Sequence, residues 1–222
     1  MILARFIALI LGYFIGTFQT GYFYGKLHGI DIREHGSGNS GPTNTLRTLG
    51  AKAGIITFLG DSLKAVLAVV IVYFVFKDKC PDAINLIELY AGFGVVLGHN
   101  FPFFLKFKGG KGIACTAGVM LAVCPLSVPI GASLFIIIVA VTRYVSLGSI
   151  VLVIVFLIQS LVFGHMGILN ISEEYLLEYD IVVACFTAMG IWRHRANIKR
   201  LLNGTENKIG KRTYYMSSKR CI

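Results

Sequence analysis

Charged residues are scarce in this sequence. Asp, Glu, Lys and Arg make up 14% of its 222 residues against 55% hydrophobic, and the mean hydropathy is +0.73. So few polar side chains cannot cover the surface of a soluble domain of this length, which excludes a water-soluble globular protein. Cysteines are few and unpatterned. Cys115, Cys124 and Cys185 lie in apolar runs, Cys80 in a short loop and Cys221 beside the last residue, with no C-x-x-C pair. No disulfide or zinc framework can be read from that spacing, and Arg220-Cys221-Ile222 is not a prenylation box. There is no domain linker and no clear internal repeat. Acidic residues are in the minority, 11 against 21 basic, for a net charge of +10 and a pI near 9.5. In a soluble protein that excess would suggest nucleic acid. Here the basic residues sit between apolar runs and in the tail, where anionic lipid and the positive-inside rule account for them.

What the chain does contain is long apolar runs from end to end, the pattern of a polytopic all-α membrane protein. The run from Ile2 to Phe23 is too long for a signal-peptide core and lacks a convincing cleavage site, so it reads as a retained first span. A polar loop from Gly25 to about Lys52 follows. A second span over roughly Ala53–Phe76 carries Asp61 and Lys64, and a third covers Leu86 to about Phe104. Charges at membrane depth are costly, so Asp61 and Lys64, one helical turn apart, read as an ion pair inside the bundle.

The uncharged stretch Ile113–Thr142, about 30 residues, is too long for one ordinary span of about 20 and too short for two. Pro125 and Pro129 near its middle break the helix there. Charge distribution favours a hairpin of two short helices over one kinked crossing. Only a hairpin collects Lys26, Arg33, Arg47, Lys52, Lys106, Lys108, Lys111, Arg143 and the basic tail on one side, leaving Arg5, Lys77 and Lys79 with Glu173, Glu174, Glu178 and Asp180 on the other. Two more spans, Ile150–Gly164 and about Leu176–Trp192, bring the total to about seven, with the N-terminus outside and the C-terminus cytoplasmic.

Four polar clusters then share the cytoplasmic side. Gly36-Ser37-Gly38-Asn39-Ser40-Gly41-Pro42-Thr43-Asn44 is dense in small hydrogen-bonding residues, suited to wrapping an oxygen-rich ligand, and Arg47 follows with a fork matched to phosphate. Gly109-Gly110-Lys111-Gly112, after His99, lets backbone N–H groups turn toward one point ahead of a helix N-terminus. Its spacing is not that of a nucleotide P-loop, and a basic turn at the membrane surface has the same composition. Ser146 and Ser149 share a helical face, though membrane serines commonly bond backbone. Arg193-His194-Arg195-Ala196-Asn197 closes the last span, where a basic exit is also the topological default.

Together these stretches resemble the bacterial acyl-phosphate:glycerol-3-phosphate acyltransferases. The resemblance rests on Gly36–Asn44 with Arg47, on Gly98-His99-Asn100-Phe101-Pro102 through Phe107–Gly112, on Arg143–Ser149, and on His194–Leu201 through Gly204-Thr205-Glu206. Order and spacing agree over about residues 1–210; Pro42 and Cys115 stand where other small residues are expected. The resemblance implies one membrane-embedded acyltransferase domain over 1–210 and a basic tail over 211–222. It implies acyl transfer from acyl phosphate to the 1-hydroxyl of sn-glycerol 3-phosphate, giving lysophosphatidate and phosphate, in the cytoplasmic membrane of a bacterium. No metal, coenzyme A or other cofactor is implied, and the His-x-x-x-x-Asp motif of other acyltransferases is absent. The expected partners are acyl phosphate, glycerol 3-phosphate and membrane lipids, with no nucleic acid; oligomeric state is left open.

Carried onto this sequence, the resemblance marks Ser37, Arg47, Lys111 and His99 as catalytic. It marks Gly38, Asn39, Thr43, Asn44, Gly109, Gly110, Gly112, Ser146, Ser149, His194 and Asn197 as substrate-binding. By itself His99, a lone histidine near a span end, reads more readily as structural. A transporter for a phosphorylated solute is the competing function, although its charges belong at the midplane and its halves carry an inverted repeat. A structural scaffold would leave the Gly36–Asn44 loop without a purpose.

Overall fold

The computed structural model describes residues 1–169 and 171–210; the expected tail 211–222 lies outside the described residues. Those residues form ten α-helices and no strand. They are α1 (Ile2–Thr17), α2 (Thr20–Leu27), α3 (Pro42–Leu49), α4 (Ala51–Phe76), α5 (Ile84–Asn100), α6 (Ile113–Val123), α7 (Ser127–Thr142), α8 (Val145–His165), α9 (Glu173–Arg193) and α10 (Arg195–Leu202). Four segments are long and apolar enough to cross a membrane: 2–27, taking α1 and α2 together, and α4, α8 and α9. Leu63, Leu67 and Phe74 of α4 face outward while Asp61 and Lys64 of the same helix are buried. This inside-out distribution is what an apolar solvent favours.

Glycine sets the closest packing. On α1, Gly12 and Gly16 lie against the backbone of Ala91 and Val95; on α5, Gly94 and Gly98 lie against the carbonyls of Leu9 and Tyr13. Reciprocal small-residue ridges of this kind let two helix backbones meet where lipid offers no hydrophobic driving force. A Cβ at Gly98 would stand 2.0 Å from the Tyr13 oxygen, which is main chain and cannot rotate away. Gly98→Leu is therefore expected to cost about 3 kcal/mol, the upper part of the range for overpacking. A lowered thermal midpoint in detergent is the readout, and an unchanged midpoint would contradict the packing. Phe156, Phe186, Tyr179 and Met120 fill the space between α5, α6, α8 and α9.

The structure departs from the expected spans in three places. The first span breaks at Phe18-Gln19, because Gln19 turns its amide inward to hydrogen-bond partners on two other segments. The polar loop contains α3, started by Pro42 at its first position and ended at Gly50, whose φ of +89° suits glycine. Helix α8 begins at Val145, ahead of the expected Ile150, so Ser146 and Ser149 lie within its first two turns.

The stretch 113–142 is a hairpin. Helix α6 ends before Cys124-Pro125, where Ser127 Oγ donates to the Cys124 carbonyl at 2.6 Å, and α7 runs back. Both open ends meet the same C-terminal segment: Lys111 Nζ donates to Asn197 Oδ1 at 2.5 Å, and the Ile209 amide donates to the Arg143 carbonyl at 2.8 Å. At the other end of the bundle, Arg5 pairs with Glu178 at 2.5 Å and Ser172 Oγ donates to the Asp82 carbonyl at 2.9 Å.

Candidate active site

The Gly36–Asn44 loop is folded around one side chain. Asn44 Oδ1 accepts from the Ser37 amide at 2.8 Å, while its Nδ2 reaches the carbonyls of Ile32, His35 and Asn39 at 2.9–3.0 Å. Gly36 and Gly38 turn the chain with φ of +59° and +70°. The Asn44 amide is thereby committed to building the loop, a different part from the ligand-binding one expected of it. Ser40 Oγ donates to Gln19 Oε1 at 2.7 Å and Gln19 Nε2 donates to the His99 carbonyl at 2.9 Å. This bond straps the loop to the end of α5.

Beyond α5 the chain doubles back. The Gly109 and Gly110 amides donate to the carbonyls of Asn100 and His99 at 3.2 and 3.0 Å, and Arg193 grips the two glycine carbonyls from the other side. This corrects the expected cradle, because neither amide is free for a ligand. The two glycines serve instead for close approach: a Cβ on Gly110 would fall 1.9 Å from His99 Nε2, and one on Gly109 2.0 Å from the His99 carbonyl oxygen. The amides left to meet an anion are those that open α6, where Gly112, Ile113 and Ala114 line the cavity.

The cavity, about 360 Å³, brings together Ser37, Asn39, Thr43, Asn44, Arg47, His99, Lys111, Gly112, Ser146, Ser149, His194 and Asn197. Gly38, Gly109 and Gly110 stay behind its wall. The lining also includes apolar side chains, among them Ile55 and Phe58 of α4 and Phe135 and Val139 of α7. A polar recess of about 260 Å³ adjoins it, sharing Ser37, Asn39, Lys111, Asn197 and Arg200. Among the described residues, no group of His, Cys, Asp and Glu has the arrangement of a metal site.

The electrostatics are those of crowded cations with one carboxylate among them. Burial, with nearby arginines adding to it, pulls Lys111 down to about 8. Asn197 Nδ2 donates to Glu206 Oε1 at 2.8 Å, Arg200 Nε donates to Glu206 Oε2 at 2.7 Å, and Arg47 Nη2 donates to the Asn207 carbonyl at 3.1 Å. Arg200 and Glu206 belong to a stretch that carries the resemblance but were given no role there, and Asn207 falls just beyond it. Gln19 did carry a signal, as an amide inside an apolar run. His194 Nδ1 donates to the Gly190 carbonyl at 2.8 Å, leaving Nε2 as an acceptor, and burial pushes its pKa down to about 4. Among the described residues Ser146 Oγ is buried with no protein partner, whereas Ser149 Oγ donates to the Val145 carbonyl at 2.8 Å.

Known proteins match along nearly the whole chain. Residues 6–204 match the family model described as glycerol-3-phosphate acyltransferase. Among curated relatives, a glycerol-3-phosphate acyltransferase of Alkaliphilus metalliredigens is 46% identical over 209 residues, covering 93% of this chain and 97% of its own. One from Bacillus subtilis is 46% identical over 202 residues, 90% of this chain and 95% of its own. The crystal structure of PlsY (YgiH), an integral membrane glycerol 3-phosphate acyltransferase in its glycerol 3-phosphate form, superposes with a TM-score of 0.78 at 35% identity, covering 93% of this chain and 96% of that one. Its lysophosphatidic acid form superposes with a TM-score of 0.77 at 34% identity, covering 93% and 95%.

Proposed function

Since this chain belongs to the glycerol-3-phosphate acyltransferase family, we propose that it moves a fatty acyl group from acyl phosphate to the 1-hydroxyl of sn-glycerol 3-phosphate, as the first step of phospholipid synthesis. The observation that carries this reading is the mixed lining of the cavity. It combines Arg47, Lys111, Arg200 and the N-terminus of α6 with apolar side chains of α4 and α7. A reactant with a phosphate head and a hydrocarbon tail fits that lining, and the adjoining polar recess suits a small water-soluble phosphate. The cationic side chains face the cytoplasm in this reading, where the positive-inside rule places basic residues.

Arg47, Lys111 and Asn197 donate to the two phosphates, Ser149 and His194 line the same cavity, and the Gly36–Asn44 loop shapes the donor's surroundings. The glycerol hydroxyl attacks the acyl carbonyl. The new ester bond forms, the bond from carbonyl carbon to phosphate oxygen breaks, and inorganic phosphate leaves. His194 Nε2 can accept a hydrogen bond from the hydroxyl, but with its pKa near 4 it is a weak base. The hydroxyl proton therefore goes to the departing phosphate. An acyl phosphate is already activated, so positioning and charge stabilisation are the chain's contribution.

The test mixes purified protein, glycerol 3-phosphate and an acyl donor in micelles. Phosphate release and lysophosphatidate are expected with acyl phosphate and not with acyl coenzyme A. Equal turnover with acyl coenzyme A would refute the donor assignment, and no lysophosphatidate from either donor would refute the enzyme.

A further inference from the structure

Asp61 and Lys64 have no part in the reaction as described, yet they contact His99, which lines its cavity. Both are buried, and Lys64 Nζ lies 2.9 Å from Asp61 Oδ1. Lys64 also donates to the Phe18 carbonyl, which the break between α1 and α2 leaves free of a helical partner, and it stands 3.0 Å from His99 Nδ1. These three partners use up the ammonium group. It has three N–H donors and no lone pair, so the nitrogen facing it must be the acceptor. His99 Nδ1 is then unprotonated, and a neutral imidazole carries its hydrogen on Nε2. The hydrogen bond that the His99 ring makes among the described residues is the one at Nδ1, and His99 forms part of the cavity wall.

The arrangement is not a histidine–carboxylate base. His99 Nδ1 and Asp61 Oδ1 are 3.7 Å apart, beyond hydrogen-bond reach, with the lysine between them. A carboxylate bonded to Nδ1–H would leave Nε2 as a lone pair able to take a proton. A lysine bonded to Nδ1 does the opposite.

We propose that the Asp61–Lys64 pair is a positioning device that holds His99 as the Nε2–H tautomer, so that His99 donates a hydrogen bond to a negatively charged oxygen of a bound reactant. Only the source of that oxygen, the phosphate head or the acyl carbonyl, rests on the function proposed above. His194 is the counterpart: its Nδ1–H is bound to a carbonyl and its Nε2 accepts. The site thus contains one histidine of each tautomer, with different tasks.

The experiment labels the five histidines with nitrogen-15 in the full chain in micelles and assigns His99 by its loss in His99→Gln. The expected spectrum shows a protonated Nε2 and a bare Nδ1, with the two tautomers mixing in Lys64→Met. A protonated Nδ1 in the unmodified protein overturns the proposal whatever the activity, so this arm is independent of the reaction. If Lys64→Met does not fold because Asp61 is left unpaired, Asp61→Asn with Lys64→Met removes both charges and keeps the measurement available.

In turnover, His99→Leu is expected to lose about 100-fold, the usual effect of removing one oxyanion donor, while His99→Gln, whose amide N–H reaches to a similar place, retains most activity. Equal losses in the two folded variants would overturn donation. A rise in KM for either substrate identifies a phosphate oxygen, and a fall in kcat alone identifies an oxygen that gains its charge in the transition state. Each of these supports the proposal.

Discussion

Lys111→Met is expected to lower turnover about 100- to 1000-fold, roughly 3–4 kcal/mol of transition-state stabilisation, while the protein remains folded in detergent. Methionine keeps the length and the apolar stem of lysine but not its charge. In the structure Lys111 is bonded to Asn197, near Arg200 and Glu206, and it is half-buried in the cavity lining. An anion brought there meets a cation that water screens little, so the loss is large. The pH dependence has a definite sign. Burial lowers Lys111 to about 8, so the neutral amine gains as pH rises through that value. Glycerol 3-phosphate is already a dianion there, its second ionisation lying near pH 6. Its KM should therefore rise above about pH 8 because the site loses charge, while the substrate's charge stays the same. Arginine stays protonated throughout, so Lys111→Arg is expected to flatten that rise even if it binds more weakly. Near-normal turnover by Lys111→Met, or a KM independent of pH, would refute the assignment of Lys111 to the phosphate.

Gly110→Ala should lower turnover about 100-fold, an effect out of proportion to a single methyl group. The added Cβ would lie 1.9 Å from His99 Nε2. The ring has nowhere to retreat, since it is buried and its Nδ1 is held by Lys64. Either His99 swings and leaves Lys64, or the Gly109-Gly110 turn lifts from Arg193 and carries Lys111 with it. Both outcomes displace a reacting-site group by about an ångström, which is enough for a loss of that order. Phosphate release by the folded variant is the measurement. Activity within twofold of the unmodified protein would mean that the contact between Gly110 and His99 is not needed.

Much of this protein can be read locally. Runs of apolar residues specify helices, Pro125 marks where the hairpin turns while Pro129 is accommodated in the first turn of α7, and the uneven distribution of Lys and Arg selects the hairpin over a single crossing. The ion pair of Asp61 and Lys64 follows from their spacing and the cost of a lone charge in an apolar medium. Each of these signals lies within about one or two helical turns of sequence, the range over which backbone hydrogen bonding and side-chain periodicity act.

The rest required the folded chain, because the partners are far apart along it. Arg47 meets the carbonyl of Asn207 across 160 positions, and Lys111 meets Asn197 across 86. That Gln19 breaks the first helix, that Glu206 sits among the cations, and that Gly109 and Gly110 make room for a ring are consequences of which surfaces pack together. The state of His99 is the clearest case. Its residue type and place on α5 are read from the sequence, but which nitrogen carries the proton depends on a lysine from another helix, and only tertiary packing brings the two within 3.0 Å.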